Sequence, residues 1–272
     1  MHKLKKENPV KEFDDFVTIV KRLRNECPWD KEQTLESVRH LILEETYEVL
    51  ESIDNKDYEE LKIELGDLLL HVAFSSVIAE GDEKFELKDV INAINSKLIS
   101  RHPHVFGDVK VSGTKEVLKN WEHIKIGEKP RKSILDGVPK ELPSLTRAYR
   151  IQEKSSKVGF DWDTSEESFV KVEEEILEFK EAAEKRKNKK GELEQADMSE
   201  LEQELGDILF AIVNYSRFLN INPENALRKT ISKYIKRFNF IEDTLKERGI
   251  KITESNLQEM DVIWEESKKH FP

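Results

Sequence analysis

The chain has 272 residues, with 45 Lys and Arg against 56 Asp and Glu, a formal charge of −11; this argues against a nucleic-acid backbone or an anionic membrane as partner, since both need a cationic face. The length suffices for one large domain or two ordinary ones, and 37% charged residues with only 10 Gly and 8 Pro point to helices. Met1 to Phe16 has no apolar run of the signal-peptide kind, the apolar stretches Leu68 to Phe74 and Ile208 to Val213 fall far short of the roughly 18 residues of a membrane span, and Cys27 stands alone, so a reducing cytoplasm is the expected location.

In chain order, Leu41, Leu43, Val49, Leu50 and Ile53 make a helical apolar stripe on a segment from about Thr34 to Asn55. A second helix is predicted from Asp57 to Ala79, stopped by Gly81, and a third from Leu87 to Arg101, stopped by Pro103. Gly127 to Pro143 holds Pro130, Gly137 and Pro139 and reads as a linker. Three more helices follow, Glu166 to Arg186, Met198 to Leu219 and Pro223 to Arg248; Pro223 suits a first turn and Gly249 a terminator. No segment alternates like a strand. The predicted class is all-α: two tandem helical-bundle repeats, 1–127 and 144–272, joined by a linker at 128–143.

The tandem reading rests on recurrence. Glu64-Leu65-Gly66-Asp67 returns as Glu204-Leu205-Gly206-Asp207, and Glu44-Glu45-x-x-Glu48 as Glu174-Glu175-x-x-Glu178. Lys97-x-x-x-Arg101 returns as Lys233-x-x-x-Arg237, Trp121-x-x-x-Lys125 as Trp264-x-x-x-Lys268, and Trp29-Asp30 as Trp162-Asp163. Five features in one order mark a duplication.

Residues three and four apart share a helix face, so Glu45 and Glu48 project together, as do Glu64 and Asp67. Taken alone, the first pair is equally a solvated acidic face. The second is embedded among Leu61, Ile63, Leu65, Leu68 and Leu69, which places it near protein interior, where unpaired charge is costly. Gly66, repeated as Gly206, is a poor helix residue and implies close approach of another helix or a ligand. Two helices presenting these acids to one another gather four carboxylates, a hard-oxygen site suited to Mg²⁺ or Mn²⁺. Di-iron chemistry would use Glu-x-x-His; no histidine here follows a Glu by three, and His71 becomes Ala211 in the second copy. Lys97 with Arg101, and Lys233 with Arg237, suit phosphate oxygens. Trp121 and Trp264, each four before a Lys, fit either core or a stacking platform for a base. No P-loop is present, and Cys27 reads as structural.

Together with Cys27-Pro28-Trp29-Asp30, Arg101-His102-Pro103-His104-Val105-Phe106-Gly107 and Asn120-Trp121-Glu122-x-x-Lys125, these motifs resemble the MazG family of all-α nucleoside triphosphate pyrophosphohydrolases over nearly the whole chain from Phe13. The resemblance implies a homodimer of helical bundles that hydrolyses NTPs, and often dNTPs, to nucleoside monophosphate and pyrophosphate with Mg²⁺. It implies metal ligands at Glu175, Glu178, Glu204 and Asp207, Glu174 as a water-orienting base, and nucleotide contacts at Lys171, Lys233, Arg237, Trp264 and Lys268. In the first copy the matching acids are Glu45, Glu48, Glu64 and Asp67, with Glu44 beside them, and the matching contacts Lys97, Arg101, Trp121 and Lys125. Asn214, where the first copy has Phe74, is read both as a ribose or base contact and as a satisfied polar core residue. The second copy is expected to be a working site, and the first to be catalytic, regulatory or structural. The competing reading is a non-catalytic helical module that binds nucleotides or protein.

Overall fold

The structure is a computed structural model that describes residues 9–114, 116–117, 120–121, 124, 133–188 and 195–271. The chain divides into two compact units, Met1–Lys129 and Pro130–Pro272. The described residues contain helices and no strand.

The first unit runs through α1 (Pro9–Glu26), the short α2 (Pro28–Glu32), α3 (Leu35–Asn55), α4 (Tyr58–Gly81), α5 (Leu87–Arg101) and the single turn α6 (Pro103–Phe106). Its centre is the α3–α4 hairpin, whose boundaries the sequence encodes locally. The Thr34 hydroxyl accepts from Ser37 N while Ser37 Oγ accepts from Thr34 N, a reciprocal cap that opens α3. Lys56 closes it in the left-handed region, with φ of 57°. Asp57 then caps α4 by accepting from Glu59 N and Glu60 N. α1 packs on α4 and buries Val20 with Val38, Ala73, Phe74, Val77 and Ile78, against which Phe16, Leu41 and Leu70 also pack.

The second unit repeats the plan with α7 (Ser144–Ser156), α8 (Ser165–Asn188), α9 (Gln195–Phe218), α10 (Pro223–Glu247) and α11 (Leu257–His270). α8 and α9 form the hairpin, and α7 packs on α9 as α1 does on α4. Asn222 caps α10 ahead of Pro223; beyond its end Gly249 takes a φ of 73°, which a side chain would disfavour. α10 and α11 pack together around Ile241, Leu245 and Ile263.

The six predicted helices stand within three residues of their expected ends. α1, α7 and α11 were not predicted, although Phe13, Phe16 and Val20 on α1, and Met260, Ile263 and Trp264 on α11, carry an apolar helical spacing. Within the chain no other described helix makes the close approach expected at Gly66 and Gly206: both are exposed, and a Cβ at either would meet open space. Among the described residues no helix is long and apolar enough to cross a membrane.

Leu245 is fully buried, so Leu245→Ala is expected to destabilise the protein by about 2–5 kcal/mol. Leu257, 79% exposed at the start of α11, tolerates the same change within about 0.5 kcal/mol. Urea unfolding followed by tryptophan fluorescence compares the two.

Candidate active site

Each hairpin brings acids from two helices together. In the second unit Glu175 and Glu178 of α8 meet Glu204 of α9, and in the first Glu45 and Glu48 of α3 meet Glu64 of α4; within each trio one oxygen per residue lies within 4.8 Å of the others. An Mg²⁺ octahedron with bonds of about 2.1 Å sets its oxygens about 3 to 4.2 Å apart. A small contraction therefore fits either trio to the ion, and carboxylate oxygen is the donor a hard cation takes. Asp207 stands outside the second trio but shares a cavity wall with Glu175. Asp67 is close enough to Glu45 to raise its pKa by repulsion.

The carboxylates bear the cost of this crowding. Glu64 is only 8% exposed, and burial, then a hydrogen bond with Glu60 and the charge of Glu48, push its pKa from 4.5 to about 7. Burial followed by repulsion from Glu48 raises Glu45, and burial followed by repulsion from Glu175 raises Glu178.

The two units answer that charge differently. In the second, Lys171 Nζ lies 2.7 Å from Glu175 Oε1 and 2.9 Å from Glu174 Oε1, and its hydrogen bonds to Glu175 and Glu174 hold the ammonium protonated well above the ordinary lysine range. In the first, the matching position is Leu41, and the nearest counter-group is His71, with Nε2 3.6 Å from Glu45 Oε1. Glu44, the first-unit neighbour of the trio, is exposed, as is Glu174.

Beside the second trio lies a cavity of about 740 Å³ within the second unit. Lys171, Glu175 and Asp207 stand on its wall with Ala211 and Asn214 of α9, and Ile151, Phe160 and Trp162 supply apolar surface. Ile134 and Leu135, from the segment read as a linker, close another side; Lys154 Nζ donates to the carbonyls of Ile134 and Asp136 at 3.2 and 2.7 Å and ties that segment down. Asn214 Oδ1 accepts from Arg217 at 3.0 and 3.3 Å, and Arg217 grips Asp161 with both terminal nitrogens. In the first unit Leu41 and Phe74 stand where the second has Lys171 and Asn214, and both pack with the core around Val20 and Val38. Its acids instead border a polar hollow of about 290 Å³ among Glu48, Glu51, Asp57, Glu60 and Glu64.

The basic and aromatic residues form a second constellation. Arg237 stands over the Trp264 ring at 5.5 Å and donates to the Phe271 carbonyl at 2.7 and 2.9 Å. Arg101 stands over Trp121 at 5.6 Å in the same way. Lys268 pairs with Glu265, and Lys97 and Lys233 are exposed on α5 and α10. Of the expected nucleotide contacts, Lys171 and Asn214 line the 740 Å³ cavity, whereas Lys233, Arg237, Trp264 and Lys268 do not. Lys125 lies outside the described residues. Sequence reasoning missed Gln152, Phe160, Trp162 and Arg217 as neighbours of the site; the Trp162-Asp163 recurrence was the one signal among them.

Fold and site together define the class, an all-α protein that builds an acidic cluster able to hold a cation on a helical hairpin twice over. The MazG nucleotide pyrophosphohydrolase domain matches residues 33–106 and 164–240, the two hairpins with their following helices. The nucleoside triphosphate pyrophosphohydrolase/pyrophosphatase MazG of Thermotoga maritima is 43% identical over 260 residues, covering 94% of this chain and 95% of its own. The nucleoside triphosphate pyrophosphohydrolase of Escherichia coli K12 is 42% identical over 266 residues, covering 95% and 97%. The chain belongs to the MazG family.

With no cation between the acids, the folded protein keeps a proton on Glu64 that the unfolded chain releases near 4.5. The native state then binds more protons than the unfolded one, so stability falls as pH rises from about 4.5 to about 7, and the raised Glu45 and Glu178 act in the same direction. Thermal melts in EDTA across that range are expected to show the decline, and Glu64→Gln to flatten it.

Proposed function

We propose that this protein hydrolyses nucleoside triphosphates, dNTPs among them, to nucleoside monophosphate and pyrophosphate, and that the second unit carries the reaction with Mg²⁺ on Glu175, Glu178, Glu204 and Asp207. One observation supports this assignment above the others: a nucleoside-sized cavity adjoins the second trio, while the first unit packs Leu41 and Phe74 into the matching space.

Bound Mg²⁺ supplies charge neutralisation for the phosphate oxygens and lowers the pKa of a coordinated water. The chain's own residues do the rest. Lys171, held at the cavity wall by Glu174 and Glu175, offers a protonated donor to a phosphate oxygen. Glu174 is exposed beside the trio, where its carboxylate aligns the attacking water or takes its proton. Phe160 and Trp162 present apolar surface to a nucleoside. The first unit serves mainly as structure, with its acids retaining cation affinity. Cytoplasmic nucleotide pools are the setting that this substrate class requires.

A second copy completes the molecule. Leu65, Leu69 and Val72 on α4 and Leu205, Leu209 and Ile212 on α9 are two copies of one stripe, each left 43–49% exposed. Gly66 and Gly206 on the same helices are exposed, and a Cβ at either would meet open space. Apolar stripes at this spacing, each beside a side-chain-free position, suit packing against another hairpin, and we assign them to the homodimer interface.

Pyrophosphate and nucleoside monophosphate release from the eight common NTPs and dNTPs tests the function. Mg²⁺-dependent release is expected in wild type, with Glu178→Gln losing more than about a hundredfold and Glu48→Gln remaining near wild type. No metal-dependent release from any of the three leaves the non-catalytic binding module in its place. Light scattering tests the assembly: wild type is expected at twice the chain mass and Leu209→Asp at the monomer, and a monomeric wild type removes the homodimer.

A further inference from the structure

The cavity of the second unit contains a polar atom that the protein itself does not use. Gln152 lies on α7, is 6% exposed and lines the cavity. Its amide orientation is set by chemistry. The Phe210 carbonyl, 2.8 Å away, can only accept, so it must face Nε2, which leaves Oε1 turned elsewhere. Oε1 is buried and finds no donor among the described residues. A buried acceptor without a donor is unfavourable, so it either carries a defect or awaits a ligand.

Its position favours a ligand. Phe210 follows the metal-trio neighbour Asp207 by one helical turn on α9 and Asn214 follows it by two, and all three line the same cavity as Lys171 and Glu175. A nucleotide whose phosphates lie at the acids therefore carries its nucleoside past Gln152. Asn214 adds a second polar group to the cavity wall: its Oδ1 accepts from Arg217, which leaves Nδ2 as the amide's donor. In the first unit the buried residue of the corresponding helix α1 is Val20, packed with Phe74. The Gln152–Phe210 pair and the cavity it lines belong to the second unit.

We propose that Gln152 Oε1 accepts a hydrogen bond from the nucleoside part of the substrate, a base amino group or a ribose hydroxyl, and so sets which nucleosides enter the site. The inference rests on the nucleotide reading given above. The phosphates supply affinity common to all NTPs, whereas a buried acceptor discriminates, because an analogue without the donor leaves Oε1 as unpaired as it is in the free protein.

The experiment uses the full chain and measures calorimetric affinity and kcat/KM. Its probes are ATP and CTP, their triphosphate counterparts lacking the exocyclic amine, and their 2′-deoxy and 3′-deoxy forms. Wild type is expected to lose about tenfold or more in affinity for the analogue lacking the relevant donor, the des-amino form if the base is read and a deoxy form if the ribose is. Gln152→Leu is expected to bind the parent and that analogue equally. Equal affinity of wild type for every probe overturns the inference, as does a Gln152→Leu protein that still discriminates. Where Gln152→Leu does not fold, the wild-type panel decides alone. Failure of ATP and CTP to bind at all sinks the nucleotide reading and this inference together, so the two failures are told apart by the parent nucleotides.

Discussion

Mutual repulsion among carboxylates on a helical hairpin is the constraint on which the rest of this structure depends. Glu175, Glu178 and Glu204, and their counterparts Glu45, Glu48 and Glu64, sit too close to ionise together at no cost, and burial sharpens the conflict by removing the water that would screen it. The hairpin survives because its other faces are apolar and its ends are well capped; packing of α1 on α4 and of α7 on α9 holds the acids in register. A divalent cation held there would turn that strain into binding energy, since the groups that repel one another without it would all attract it.

Duplication has let the two hairpins diverge around the same constraint. The second places Lys171 against Glu175, a cation of its own beside the acids, and opens a cavity. The first has Leu41 at that position and fills the space with Phe74 and Val20, and it brings His71 toward Glu45. A few substitutions at matching positions therefore put a polar cavity wall in one unit and an apolar core cluster in the other. Packing density explains the sharpness of the change: an interior leaves little space, so one Phe in place of Asn removes both a polar group and the volume beside it.

The apolar stripes on α4 and α9 bear on the same theme. They lie on the helices that present the acids, on exposed surface, and each runs beside a glycine. Burying them in a second copy would stiffen the hairpins that carry the carboxylates, so the proposed assembly and cation binding would act on one element.

The sequence by itself determined the class, the repeat and the acids, because these are local properties. Helix boundaries follow from caps such as Thr34, Asp57 and Asn222, and helical spacing alone puts Glu175 beside Glu178. α7 went unread, as did α1 and α11, although the apolar spacing of the last two was available. Only the tertiary structure decided that Gln152, far from the acids in sequence, shares a cavity with Lys171 and Asp207, that Arg217 occupies one end of Asn214, and that Gly66 and Gly206 face outward. Those facts depend on which helix packs against which face, and no spacing within one helix encodes them. The unpaired oxygen of Gln152 is of that kind: its partner Phe210 is supplied by a different helix, and its isolation comes from the cavity between them.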